Sequence, residues 1–236
     1  MKTVMFVTGT GTGVGKTVLT ALLAECLRAH GQRVAALKPI CSGGRGDARA
    51  LLAANGGALP LDQINPWHFR AAIAPLLAAR RERRRVTLAP VLAHLRAVGR
   101  NFEVLLVEGA GGLLSPLGAG FNSRDLMSAL ESAPIIAAPN RLGVVNDILL
   151  TLEALPETIR SQARVVLMSP AKPDSATKSN AGLLKQLSVQ LVYRLPWFGP
   201  DFSSSAVLQA PGVRRTLAAI AGCSGGHPCL TSERVP

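Results

Sequence analysis

Residues 7–17 read VTGTGTGVGKT, a glycine-rich run that ends in Lys16 and Thr17. Such a loop binds phosphate when its backbone N–H groups converge on the anion, the lysine reaches the β- and γ-phosphates and the hydroxyl serves a magnesium ion. Two common templates fail here. In G-x-G-x-x-G, Val14 or Lys16 stands where the third glycine belongs. In G-x-x-x-x-G-K-[ST], Gly15, Lys16 and Thr17 fit, but Thr10 holds the place of the first glycine. The expectation is a phosphate loop of an unusual subclass. A merely flexible turn is the weaker alternative, because G-K-T falls where a strand hands over to a helix.

Magnesium takes oxygen ligands, usually one or two carboxylates beside phosphate and water. Asp47 follows a glycine turn, and Glu108 ends an apolar run. Asp47 could equally cap a helix. Glu108, beside a buried strand, needs a cationic partner. Lys38 also ends an apolar run, and with Lys16 it would present two cations to one anionic centre, as phosphoryl transfer requires. Ser42 could bond a substrate or serve its turn. Cys41 has no base nearby and reads as packing. His30, His68 and His94 stand apart and form no triad. Cys223, His227 and Cys229 are too few for a metal site and fall in the terminal segment. Trp67 and Trp197 read as packing residues, Trp197 just beyond a strand end.

Elements of alternating type must position these groups. Apolar runs at 3–8, 33–39, 102–112, 134–139, 164–169 and 189–196 predict strands. Helices are expected over 16–30, 47–54, 88–99, 146–155 and 178–187, the first with Leu19, Leu22, Leu23 and Leu27 on one face. An irregular stretch containing NPWHF (65–69) follows the second helix. The alternation predicts an α/β fold with a doubly wound, mostly parallel sheet flanked by helices, like a P-loop NTPase. Ligands then bind at the carboxyl ends of the strands, where Lys16, Thr17, Lys38, Ser42, Asp47 and Glu108 lie. Residues 1–222 are expected to form one domain and 223–236, which lack periodicity, a disordered tail.

At 236 residues and 48% hydrophobic, the chain can bury one sizeable core. No apolar run reaches the roughly 18 residues of a membrane span, and the start of the chain has no signal-peptide pattern. Four scattered cysteines do not make a disulfide framework. A cytoplasmic protein with reduced thiols is the expectation. Of the net charge of +12, a dense part sits in ARRERRR at 79–85, read as a solvated helix end or loop, and the remaining Arg and Lys are spread along the chain. One Tyr and two Trp offer little for base stacking, so specific nucleic-acid binding is not expected, nor a membrane partner.

Together these segments resemble the dethiobiotin synthetases. The family's loop resembles V-T-G-T-D-T-x-V-G-K-T, matched here except at Gly11, and it too has threonine in place of the first glycine. The family's K-P-x-x-S-G is similar to KPICSG at 38–43, its S-D-A to GDA at 46–48, its N-P-Y-x-F to NPWHF at 65–69. Its V-E-G-A-G-G recurs at 107–112, its L-G-x-x-N-H resembles LGVVND at 142–147, and its P-W recurs at 196–197. The likeness spans about residues 1–200.

The resemblance implies ATP- and Mg²⁺-dependent carboxylation of 7,8-diaminononanoate with CO₂ and closure of the ureido ring, by a homodimer. It implies that Gly13, Val14, Gly15, Lys16, Thr17 and Val18 hold the triphosphate. Glu108, Gly109, Ala110, Gly111, Pro196, Trp197 and Phe198 also line the nucleotide. Thr17, Asp47 and Glu108 bind Mg²⁺, and Lys38 and Lys16 act in catalysis. Thr12, Ser42, Leu142, Gly143 and Asn146 meet the substrate, the last three across the dimer interface. Three departures stand out: Gly11 for Asp, Asp147 for His, and VLMSPAK at 166–172 where the family's adenine-reading Asn is expected. They imply intact phosphate chemistry with relaxed preference among nucleoside triphosphates. The alternative is a partitioning or metal-insertion ATPase, whose signature lysine near the loop's start is Gly11 here.

Overall fold

The computed structural model describes residues 3–199 and 204–223. Strand β1 (Thr3–Gly9) runs through the glycine loop into α1 (Lys16–Ala29), followed by β2 (Val34–Leu37) and β3 (Ile40–Ser42). Next come α2 (Gly46–Ala54), α3 (Leu61–Ile64), β4 (Trp67–Phe69), α4 (Pro75–Arg81) and α5 (Leu88–Gly99). The middle of the chain forms β5 (Val104–Glu108), β6 (Pro116–Gly118), β7 (Phe121–Asn122), α6 (Ser123–Ala129) and β8 (Ala133–Pro139). The remainder is α7 (Val144–Glu153), α8 (Glu157–Arg160), β9 (Arg164–Met168), α9 (Ser175–Gln186), β10 (Val192–Leu195), α10 (Ser204–Leu208) and α11 (Pro211–Ala221).

Six strands form one sheet in the order β10-β9-β8-β1-β5-β2, every neighbouring pair parallel. The expected class is thus realised. β5 is buried along its whole length, as its continuous apolar sequence requires of a strand covered on both faces. α1 buries Leu19, Leu22, Leu23 and Leu27. From β1 the chain moves to one side through β2 and β5, then crosses to β8 on the other. The crevice opened by that reversal lies at the carboxyl ends of β1, β5 and β8 and receives the glycine loop.

Three local differences from the sequence expectation matter. The second strand stops at Leu37, because Lys38 leaves the sheet and Pro39 has no N–H to continue a ladder. Residues 40–42 instead pair in parallel with β4, Ile40 opposite Trp67 and Ser42 opposite Phe69, so the supposedly irregular NPWHF is structured. α6 was hidden in sequence by its polarity, yet Asn122 and Asp125 form a capping box at its start. α4 opens with Pro75 at its first position and ends in the arginine run. Arg80, Arg81, Arg83, Arg84 and Arg85 are exposed, as expected of a helix end, and the Arg84 guanidinium lies 4.8 Å over the Phe69 ring.

The outer edge of β2 is covered by a side chain. Asn55 Oδ1 accepts from Ala36 N–H at 2.9 Å, and its Nδ2 donates to the carbonyls of Ala36 and Leu51, both at 2.8 Å. Among the described residues no helix is long and apolar enough to cross a membrane. The expected disordered tail, 223–236, lies outside the described residues except for Cys223, and His227 and Cys229 fall within that undescribed part.

Candidate active site

The loop between β1 and α1 depends on glycine where its backbone is left-handed. Gly13 has φ +73° and Gly15, the N-cap of α1, has φ +94°. A Cβ on Gly15 would also meet Met168 Cγ and Cε at 3.1 Å. Gly11 is different: a Cβ there would touch only Val14 Cγ1, at 3.9 Å. No side chain caps the first turn of α1, so its N–H groups and dipole face the loop. Lys16 is 6% exposed, and its Nζ donates to the Gly11 carbonyl at 2.6 Å. Burial, and then the neighbouring Lys38 charge, lower its pKa from 10.5 to about 8 against the opposing pull of Glu108 and Asp47. The amine thus stays mostly charged at neutral pH.

Three stretches of the chain meet here: Thr17 at the start of α1, Lys38 with Asp47, and Glu108. Glu108 Oε1 accepts from Lys38 Nζ at 2.6 Å and from Thr17 Oγ1 at 2.7 Å. Lys38 Nζ also donates to Asp47 Oδ2. Burial pulls the Lys38 amine down, but the two carboxylates more than reverse this and hold its pKa above the ordinary lysine value. Glu108 has the cationic partner its burial demands. Asp47 lies in the first turn of α2, with Arg45 at the N-cap, so its carboxylate is not the cap.

The donor set fits Mg²⁺. It consists of one hydroxyl and two carboxylates, all hard oxygens, and Glu108 Oε2 is buried with no hydrogen-bond partner among the described residues. Among the described residues no group of three or more His, Cys, Asp or Glu could hold a metal ion. A metal at this place would need phosphate oxygens and water to complete its shell, which is how Mg²⁺ is usually held.

A cavity of about 760 Å³ opens onto this cluster. Thr12, Lys16, Thr17, Lys38, Asp47 and Glu108 supply its polar wall, while Ala72, Ile73, Ala74 and Pro75 supply an apolar one that sequence reading missed. Ser42 lines it too, but its hydroxyl donates to the Ile73 carbonyl at 2.6 Å, so it serves the loop. Cys41 is buried and bonded to Asn65 Oδ1 at 3.2 Å, in keeping with a packing role. Ala110 and Gly111 line this cavity, whereas Gly109 packs under it: a Cβ there would lie 2.9 Å from Ser123 Oγ.

A second cavity of about 240 Å³ lies across the loop, lined by Val14, Val18, Met168, Pro196, Trp197 and Phe198 among others. Trp197 is 55% exposed, so the expectation of a packing role gives way to that of a cavity wall. The reason is local: it follows β10 at the sheet edge and stays open among the described residues. Asn140 faces this cavity with its amide already engaged, Nδ2 to the Thr177 carbonyl at 3.0 Å and Oδ1 from Asn180 Nδ2 at 2.9 Å. Leu142, Gly143 and Asn146 line neither cavity and lie exposed at the start of α7. Trp67 meets His94 edge to face with centroids 5.7 Å apart, a packing contact as expected.

Comparison with known proteins gives a consistent picture. A family model described as an AAA domain matches residues 3–200. The ATP-dependent dethiobiotin synthetase BioD of Anaeromyxobacter dehalogenans (strain 2CP-C) is 39% identical over 208 residues, covering 86% of this chain and 93% of the relative. The protein of the same name from Akkermansia muciniphila is 34% identical over 203 residues, covering 86% and 95%. Among solved structures, a ParA family ATPase from Chlorobium tepidum TLS matches with a TM-score of 0.60 at 14% identity, over 93% of this chain and 98% of that one. A MinC:MinD cell division protein complex from Aquifex aeolicus matches with a TM-score of 0.54 at 15% identity, over 94% and 96%. At such identities the likeness concerns the fold alone.

Proposed function

This chain belongs to the dethiobiotin synthetase family, and we propose that it is an ATP-dependent ligase that carboxylates 7,8-diaminononanoate and closes the ureido ring of dethiobiotin. One amine adds to CO₂ and loses a proton, giving a carbamate. The carbamate oxygen takes the γ-phosphoryl group of ATP and releases ADP. The second amine attacks the carbonyl of this mixed anhydride, and the C–O bond breaks to expel phosphate. No protein nucleophile is needed, so the demands on the chain are positioning and charge neutralisation.

The observation that carries this reading is the convergence of Lys16, Thr17, Lys38, Asp47 and Glu108 on one cavity beside a helix N-terminus. The loop N–H groups and Lys16 hold the triphosphate. Thr17, Asp47 and Glu108 would hold Mg²⁺, which would supply charge neutralisation to the phosphates. Lys38, already poised between two carboxylates, stabilises the carbamate and the transferring phosphoryl group. The apolar wall of 72–75 suits the alkyl chain of the diamine. Leu114, Leu142 and Leu150 are 53%, 82% and 62% exposed, which supports a homodimer in which Leu142, Gly143 and Asn146 reach the substrate of the second copy.

The smaller cavity holds the base. Its walls are mostly apolar, and the amide of Asn140 is spent on Thr177 and Asn180. Stacking and apolar contact discriminate bases weakly, whereas unpaired polar groups discriminate strongly. ATP, CTP and GTP are therefore expected to support the reaction at comparable rates. The test is dethiobiotin formation from 7,8-diaminononanoate and bicarbonate with Mg²⁺ and each nucleotide, beside Lys38→Ala. Product from the wild type that collapses in the variant is the expected result. No product with any nucleotide, from folded protein that binds MgATP, would overturn the ligase reading; a large preference for ATP would overturn only the base reading.

A further inference from the structure

We propose that Asn65 is a positioning residue for the phosphoryl-transfer cluster, holding Lys38 and the start of the helix that carries Asp47 in one frame; the inference rests on the ligase reading above. Lys38 stands just beyond the last ladder position of β2, where Leu37 pairs with Val107. The sheet no longer fixes it, and Pro39 offers no N–H to anchor the next residue. Its backbone is instead held by the segment before β4. Lys38 N–H donates to the Ile64 carbonyl at 3.1 Å, and Asn65 Nδ2 donates to the Lys38 carbonyl at 2.7 Å.

The other end of the same amide reaches α2. Asn65 Oδ1 accepts from Arg45 Nε at 3.2 Å, and Arg45 is the N-cap residue of α2, two positions before Asp47. The Arg45 guanidinium is itself clamped by Leu61 O at 3.1 Å, Asn65 O at 3.0 Å and Asp62 Oδ1 at 2.8 Å. Asn65 is 1% exposed. Its amide orientation is unambiguous, because a flip would set oxygen against the Lys38 carbonyl and NH₂ against the guanidinium. One buried side chain thus ties together the main chain at Lys38 and the residue that starts α2, although the three are separated by up to 27 positions.

The consequence for chemistry follows from leverage. The Lys38 ammonium sits at the end of four methylenes and must meet Glu108, Asp47 and a bound carbamate together. A displacement of its Cα by about 1 Å would shift the ammonium from this shared position, and misplacement on that scale can cost about 100-fold in rate. Outer partners of this kind typically contribute about 10- to 100-fold. A purely structural role for Asn65 predicts something else: lower thermal stability with the turnover of the folded molecules unchanged.

The test uses the full chain and measures kcat and KM for ATP in dethiobiotin formation, with melting temperature and MgATP calorimetry, for Asn65→Ala, Lys38→Ala and the double variant. Val91→Ala, in the core of α5 and absent from both cavities, is the destabilised control. Asn65→Ala is expected to lower kcat by about 10- to 100-fold, to leave KM and MgATP affinity within about twofold, and to add less than about twofold in the Lys38→Ala background. Val91→Ala should lose stability without losing kcat. Should Asn65→Ala fail to fold, Arg45→Ala removes the Asp47 arm, with the guanidinium's bonds to 61, 62 and 65, and leaves the Asn65–Lys38 bond intact; it is expected to lower kcat with unchanged KM. A kcat within about twofold of wild type, or a full additional loss on top of Lys38→Ala, overturns the inference. Absence of product from the wild type would remove the ligase reading and this inference with it, a result distinct from an active wild type matched by an active variant.

Discussion

Replacing Lys38 with methionine isolates the electrostatics of the buried cluster from its chemistry. The variant keeps the length and apolar stem of the side chain but leaves Glu108, whose side chain is 0% exposed, without its cation. At 2.6 Å and an effective dielectric of about 20, the Lys38–Glu108 attraction is about 6 kcal/mol. Part of that is offset, since burying the ammonium itself costs several kcal/mol. Asp47 adds little, because its side chain is 55% exposed and water can replace the lost partner. The net expectation is the usual cost of orphaning a buried charge, about 3–5 kcal/mol. With a urea m-value of about 3 kcal/mol/M, the unfolding midpoint should fall by about 1–1.7 M. The double variant Lys38→Met/Glu108→Gln removes the orphaned charge and should recover most of the loss. Urea unfolding followed by circular dichroism at pH 7.5 without Mg²⁺ reads both. A midpoint shift below about 0.2 M, or a double variant no more stable than the single one, would refute the argument.

Four further outcomes are expected. Asn55→Ala strands the Ala36 N–H and carbonyl at the edge of β2 and should cost about 2–4 kcal/mol of unfolding free energy by calorimetry. Gly43→Ala forces a side chain onto φ +82° and sets its Cβ 2.8 Å from Ala72 Cβ and 2.9 Å from Ala72 Cα; steady-state kinetics should show a raised KM for the diamine and an unchanged KM for ATP. Gly11→Asp meets no clash, so its unfolding free energy should stay within about 0.5 kcal/mol of wild type. Burial raises the thiol pKa of both Cys26 and Cys41 above 9.0, which lowers the thiolate fraction at any given pH. Iodoacetamide at pH 8 should therefore label them slowly in folded protein and quickly in urea, as read by peptide mass spectrometry.

Much of the molecule was legible because the relevant signals are local. A strand, glycines at the left-handed positions and Lys-Thr at a helix start specify a phosphate loop within eleven consecutive residues, 7–17. Alternating apolar runs and amphipathic helices specify a parallel sheet, and the same alternation puts every chemistry-bearing residue at a strand's carboxyl end. Glu108 could be singled out, since a carboxylate closing an apolar strand demands a cation wherever the chain goes next.

What the tertiary structure decided were the pairings. That the cation for Glu108 is Lys38, 70 residues away, depends on β2 and β5 lying side by side, which no local pattern encodes. The end of β2 at Leu37 and the pairing of 40–42 with 67–69 depend on a proline and on a neighbour supplied by a distant segment. Asn65 looks in sequence like any residue before a proline. Its role appears only when folding buries its amide between Lys38 and Arg45, because a buried polar group must find partners and those it finds become fixed in space. Likewise Asn140 could have read a base, and folding commits it to Thr177 and Asn180 instead. Local spacing determines which groups are available for chemistry, and the long-range contacts determine which of them are free to perform it.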